Sequence, residues 1–287
     1  MQRTQIGIVM LLLTLTACAK DFDGKRALEY TGKAVDFGPR PPGSAAIQKL
    51  QSYLLAQLKS HKCTVGQDDF TAQTPQGKVP MKNIIARYAG TSGRAVVLSG
   101  HYDTKVLPGF VGANDAGSST GFLLEMANVL DRMPHKDDIY LVWLDGEEAF
   151  NLQWAGTDNT YGSRHLAEKW AAEGFLPRIK ALINIDMVGD ADLDILYDGN
   201  SAPALLKLIW ETAEKLGYGR YFTTRASATD DDHMPFRRLG VNAADVIDLD
   251  YPPWHTPADT MDKLSAHSFQ VVGDVIVAVL KQLEGMP

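Results

Sequence analysis

The chain has 287 residues, 45% of them hydrophobic, and a formal net charge of −7. That is enough apolar material for one large α/β core. The acidic balance and the lack of any Lys/Arg cluster exclude nucleic acid and an anionic membrane surface as expected partners. No Gly/Ser linker, internal repeat or low-complexity run divides the chain.

The first residues read as a leader rather than as part of the fold. Arg3 supplies a positive start, and Ile6 to Leu15 form an apolar stretch too short to span a bilayer. The stretch ends in Leu15-Thr16-Ala17-Cys18, which resembles the lipobox of bacterial lipoproteins. The expectation is a signal peptide over 1–17 and a lipid on Cys18 that anchors the chain to a bacterial membrane, facing the periplasm or the cell exterior. Residues 18–29 then read as a tether and 30–287 as a single catalytic domain. Cys63 is left without a partner and reads as a small, partly buried side chain, with no structural disulfide.

Along the mature chain, Phe37 to Ser44 is turn-rich, and Ser44 is placed to cap a helix from Ala45 to Lys59. Asn83–Tyr88 and Ala95–Ser99 read as strands, and Thr120–Arg132 as a helix. Ile139–Leu144 is an apolar strand, Tyr161–Glu173 a helix and Ala181–Ile185 a buried strand. Leu193–Tyr197 alternates as an edge would. Pro203 opens a helix to Leu216, and Pro235 opens a short one ending before Gly240. Ala243–Ile247 is the last strand. Ser265 caps a final helix whose Phe269, Val272, Ile276, Val279 and Leu283 share a face. Strands alternating with helices predict a three-layer α/β/α fold around a mostly parallel central sheet.

The chemistry sits behind the apolar runs. Val96 to Gly100 leads into His101-Tyr102-Asp103, where Asp103 is placed to hold the second ring nitrogen of His101. Gly112 to Gly117 encloses Asp115. Asp145-Gly146-Glu147-Glu148 follows the strand at 139–144, and Asp186 follows the strand at 181–185. Trp254-His255-Thr256 lies in a proline-rich loop. Open α/β sheets place ligands beyond the carboxyl ends of their strands. His101, Asp115, Glu148, Asp186 and His255 therefore read as one metal site. Its two imidazoles and three carboxylates suit zinc. Glu147, beside a ligand, reads as the proton carrier, because burying two free carboxylates side by side would be costly. His61, His135, His165 and His267 read as surface or structural, and Trp143 as core.

The order His-x-Asp, Asn-Asp, Gly-Glu-Glu, Asp, His resembles the zinc aminopeptidase family with a single α/β domain. Gly38–Ser44, Gly146–Phe150, Tyr161–Ala167, Asp231–Phe236 and Trp254–Thr256 resemble its glutaminyl-peptide cyclotransferase (glutaminyl cyclase) branch, and the likeness spans about residues 30–285. The resemblance implies one zinc on Asp115, Glu148 and His255, with Glu147 as proton shuttle. Asp186 and Asp231 become carboxylates near the reacting centre. Trp254 becomes a pocket wall, and Asp103 and His233 support the site from behind. It also implies a cis peptide bond from Asp115 to Ala116. Asp245 departs from the animal cyclases, which carry a histidine there, and is expected in the substrate pocket.

The implied activity is cyclisation of N-terminal glutamine on peptides with a free N-terminus, releasing ammonia. The alternative is a zinc aminopeptidase in which His101 and Asp186 complete a second zinc site. A lipoprotein that binds without chemistry is a third possibility. The presence of every candidate ligand and of the base argues against it.

Overall fold

The computed structural model describes residues 21–286. The expected leader and Cys18 lie outside the described residues. The expected tether does not extend to residue 29. Phe22 is buried against Phe122, with ring centroids 4.8 Å apart, and a helix, α1, runs Gly24–Val35. Asp23 caps α1 by accepting from the backbone N–H groups of Lys25 and Arg26. Polar residues dominate this helix, so an apolar-run reading passes over it. Its small residues Ala27 and Thr31 nevertheless pack on Gly121, where a Cβ would lie 2.2 Å from Thr31 Oγ1.

α2 (Ala45–Leu58) follows, with Ser44 accepting from the Ile47 N–H at 3.1 Å as its cap. Two long strands, β1 (Thr64–Thr74) and β2 (Gly77–Tyr88), form a hairpin. Sequence reading missed β1 and the first half of β2, because β1 is largely polar and Pro80 argues against a strand. Pro80 is tolerated because the next strand pairs only with Ile84–Tyr88 of β2, leaving the other edge at Pro80 without a ladder partner.

The remaining main elements are β3 (Ala95–His101), α3 (Gly117–Leu130), β4 (Asp138–Leu144), α4 (Tyr161–Ala172) and β5 (Ile179–Asp186). They continue with β6 (Ile195–Asp198), α5 (Pro203–Lys215), β7 (Phe222–Ser227), α6 (His233–Arg238), β8 (Ala243–Ile247) and α7 (Ala266–Glu284). The six-stranded sheet has the order β1-β2-β4-β3-β5-β8. β4, β3, β5 and β8 are mutually parallel, and the β1–β2 hairpin adds antiparallel. β6 and β7 pair apart from it as a two-stranded parallel sheet. The central strands are buried along nearly their whole length because helices cover both faces. The five residues expected on one face of α7 are all buried, and Ser265 caps that helix. Cys63 is half-buried.

This topology brings four parallel strand ends to one edge of the sheet. β3 ends at His101 and β5 at Asp186, while β4 and β8 run into loops that carry Glu147, Glu148 and His255. Among the described residues no helix is long and apolar enough to cross a membrane.

Candidate active site

His101 and Asp186 each stand two residues beyond the register pair Ser99–Asn184 of β3 and β5. His101 Nε2 lies 3.2 Å from Asp186 Oδ1 and 3.2 Å from Asp115 Oδ1. The other oxygen of Asp115 is 3.3 Å from His255 Nε2, and that nitrogen is 3.0 Å from Glu148 Oε1. The five side chains thus form two overlapping groups, His101–Asp115–Asp186 and Asp115–Glu148–His255. Each group offers ligand atoms within 4.8 Å of one another.

Asp115 is held by its loop. Gly112 takes φ +52°, where a Cβ would stand 1.8 Å from the Asp115 carbonyl oxygen, so only glycine fits the turn. Asp259 accepts the N–H groups of Asn114 and Asp115 at 2.8 and 3.1 Å, and Tyr251 donates to Asp259 at 2.7 Å. The Asp115–Ala116 peptide bond is cis, as the resemblance implies. Buried Arg40 donates to the carbonyls of Tyr102, Val111 and Gly112, tying the end of β3 to the Asp115 loop. His255 and Met187 adopt left-handed backbone at φ 53° and 48°, a conformation that clusters at functional sites in non-glycine residues.

Glu147 is buried, with Oε2 3.8 Å from His101 Nδ1. Desolvation holds its carboxyl well above the usual range. The imidazole of His101 opposes this, while Asp231 and Glu148 add to it. Burial also lifts Asp231 to about 6, with Asp186 contributing and His233 opposing. Burial disfavours protonation of His255, but hydrogen bonds to Asp115 and Glu148 override it and raise the ring to about 9.

The cleft over this floor has a volume of about 370 Å³ and reaches Glu147, Asp231 and Trp254. Trp254 lines the cleft, stacks on His255 with centroids 4.1 Å apart and is 43% exposed.

Asp245 is not where sequence placed it. It is fully buried and does not line the cleft. It lies two residues short of the end of β8, and Ile247, on the same face, reaches the cleft instead. Asp245 accepts from Asn184 Nδ2 at 3.2 Å and lies 3.9 Å from His233 Nδ1. His233 Nε2 in turn sits 3.2 Å from Asp198 Oδ2, so the ring lies between two buried acids rather than beside a member of the five-residue cluster. Asp103 lies 3.5 Å from His101 Nδ1, too far for a well-formed hydrogen bond. Its oxygens accept the N–H groups of Glu147 and Glu148 at 3.1 and 3.3 Å, so it holds the Glu-Glu loop as much as the imidazole.

Sequence reading missed Lys105, Asp259 and Trp154, and assigned Arg40 no role. A lysine two residues after His-x-Asp carries no sign of burial, yet Lys105 is 3% exposed with Nζ 3.3 Å from Glu148 Oε2. Trp154 lines the cleft with its indole nitrogen unpartnered. His61, His135, His165 and His267 pair elsewhere, with Asp131, the Asp137 carbonyl, Asp68 and Tyr221. Trp143 is core and donates to the Thr120 carbonyl.

The donor set fits a divalent metal. Asp115 Oδ2, shared between the two groups, is buried without a hydrogen-bond partner, and mixed imidazole and carboxylate donors suit zinc. Comparison with known proteins agrees. The model of peptidase family M28 matches residues 83–280. A glutaminyl-peptide cyclotransferase of Drosophila melanogaster is 33% identical over 77% of this chain and 70% of its own length. Among solved structures, an Acidobacteriales bacterium glutaminyl cyclase superposes with a TM-score of 0.88 at 38% identity, covering 93% of this chain and 96% of that one. A Zn-dependent exopeptidase from Parabacteroides distasonis superposes at 0.83 with 26% identity, covering 92% and 98%. The chain belongs to peptidase family M28, in its glutaminyl-peptide cyclotransferase branch.

Proposed function

We propose that this enzyme is a zinc-dependent glutaminyl-peptide cyclotransferase, acting on peptides with a free N-terminal glutamine. The observation that carries the reading is Glu147, a buried carboxyl one residue from Glu148 on the same cleft, taken together with the likeness to glutaminyl cyclases rather than to peptidases alone. The likeness to named glutaminyl cyclases supports it. In the reaction the α-amine nitrogen bonds to the side-chain amide carbon, the C–N bond to the amide nitrogen breaks, and ammonia leaves. Glu147 takes the proton from the amine and delivers it to the leaving nitrogen, so no water is consumed. Asp115, Glu148 and His255 would hold one zinc, which when bound supplies Lewis-acid polarisation of the carbonyl. Asp186 and Asp231 hold the reacting groups by hydrogen bonds, and Trp254 walls the glutamine side chain. Folding the substrate onto itself in this cleft accounts for much of the acceleration, since proximity is worth up to about 7–11 kcal/mol.

The second reading is a zinc aminopeptidase. It is favoured by one observation, the adjacent His101–Asp115–Asp186 group, which could take a second ion. Peptide hydrolysis would then use Glu147 to deprotonate a water. Measuring ammonia and pyroglutamate from glutaminyl peptides beside free amino acids from ordinary peptides separates the two. Ammonia with pyroglutamate is the expected result, and release of varied N-terminal residues without pyroglutamate overturns it. The lipobox-like run ending at Cys18 supports export and anchoring of the enzyme on a bacterial membrane, outside the cytoplasm. Labelling with a radioactive fatty acid, lost in Cys18→Ala, tests that placement; equal labelling of the variant rejects it.

A further inference from the structure

Asp21, the first described residue, lies at the end of the molecule remote from the cleft. It pairs with Lys281 in the last turn of α7, and Arg132, two residues beyond α3, donates to its carbonyl at 3.2 Å. Both helices start beside the site: α3 follows Asp115, and Ser265 at the head of α7 donates its N–H to the Gly189 carbonyl just after β5. α3 has 14 residues, so its far end stands roughly 20 Å from the strand ends that hold the cluster. Only Ala19 and Lys20 separate Asp21 from Cys18, a reach of about 10 Å.

The same end of the sheet collects cations. The parallel strands begin there, and β2, antiparallel to β4, finishes there. Arg87, Arg94, Lys136 and Arg178 each lie within two residues of one of these strand ends. Arg87 and Arg178 share the buried Asp138, yet their own side chains are 45% and 43% exposed. Arg94 and Lys136 are exposed too. The acids between them are engaged: Asp137 holds Lys180, and Glu284 accepts the N–H groups of Lys136 and Asp137. The cleft end is the reverse. Beside the metal cluster, Asp190, Asp192, Asp194, Asp250 and Asp262 line a neighbouring hollow, with only Lys263 and Arg225 against them. Composition argues against an anionic surface because it averages over these two ends. No Lys/Arg run marks the basic one; sheet register assembles it.

We propose that this basic end is a docking surface for an anionic phospholipid bilayer, and that it holds the cleft facing away from the membrane. The inference rests on the reading of Cys18 as a lipid anchor and adds the face that meets the lipid. Attraction between exposed charges fades within about 10 Å at 0.1 M salt, and the short reach from Cys18 brings the basic end inside that range. The acidic end is repelled by the same headgroups. The consequence is a substrate class: N-termini of soluble or protruding polypeptides, which approach the cleft from the side away from the lipid.

The test is fluorescence quenching of the enzyme, as cells process it, by vesicles that carry a nitroxide on their headgroups. A fluorophore is placed at Thr91→Cys, whose backbone bonds to Lys136, or at Gln153→Cys, exposed on the cleft rim between Leu152 and Trp154. Both are made in a Cys63→Ser background. On vesicles of phosphatidylcholine and phosphatidylglycerol, the label at Thr91 should be quenched at least about threefold more than the label at Gln153. That preference should fall by about half or more in Arg94→Gln/Lys136→Gln, on phosphatidylcholine alone and in high salt. Equal quenching at the two positions, stronger quenching at Gln153, or none at either overturns the proposal. So does a preference unchanged in the charge variant, which would leave orientation to the tether alone. Fatty-acid labelling of Cys18 is scored separately. Labelled protein with equal quenching keeps the anchor and rejects the surface. Unlabelled protein with Thr91 preferentially quenched on the anionic vesicles rejects the anchor and keeps the surface.

Discussion

The two halves of the metal cluster share Asp115 but are built by different means. His101 and Asp186 end neighbouring parallel strands, and their side chains are 1% and 7% exposed. Sheet register alone brings them together. Glu148 and His255 come from loops, and His255 is 20% exposed with a left-handed backbone. The loop-built half opens onto the cleft beside Trp254, while the strand-built half forms its floor. A substrate entering the cleft meets the loop-built half first.

The sharpest test of this difference is Glu147→Gln, which leaves both halves intact and removes only the proton carrier. Turnover should fall by about 10²–10⁴-fold with zinc content unchanged; a variant with near wild-type rates would place the base elsewhere. Glu148→Gln strikes the loop-built half itself. Zinc affinity, read by competition with a chelator, should drop by more than about a hundredfold, because losing a ligand costs more than the 10–100-fold of losing its supporting partner. An unchanged affinity would move the ion to the strand-built half.

Asp259→Asn asks how far the loop depends on its support. Asp259 receives the backbone of Asn114 and Asp115, so its amide analogue should weaken zinc binding by roughly tenfold. No loss would mean that Arg40 and Gly112 suffice to place Asp115.

The smallest effect lies behind the strand-built floor, on α3. Burial lifts Glu125 to about 7 against the opposing charge of Arg26. Its folded form holds a proton more tightly than the unfolded chain does, so stability declines as pH rises from about 4.5 to 7 and the penalty is complete above that. Glu125→Gln should therefore raise the melting temperature at pH 8 more than at pH 5, without changing zinc affinity. Equal shifts at both pH values would show that the carboxyl is not protonated in the fold.

Much of the site was legible because its residues follow apolar runs. Val96–Gly100 and Ala181–Ile185 could be read as buried strands from composition alone, and the parallel-sheet rule puts His101 and Asp186 at one edge. Glu148 could be read the same way behind the strand at 139–144 and His255 as the imidazole of its proline-rich loop, while the family likeness added their grouping with Asp115 on one zinc. The polar hairpin strand β1 and the amphipathic α1 left no such trace, since their burial depends on what packs against them.

What the sequence determined by itself was therefore the parallel core, the residues beyond its strand ends and the family those residues belong to, because hydrophobic period and ligand order are local properties of the chain. Tertiary structure alone decided depth and pairing. Asp245 lies two residues short of its strand end and is sealed against Asn184, while Lys105, an unremarkable lysine in sequence, is folded inward onto Glu148. Whether a charge faces water, a metal or another charge depends on elements distant in sequence, and no local pattern records that.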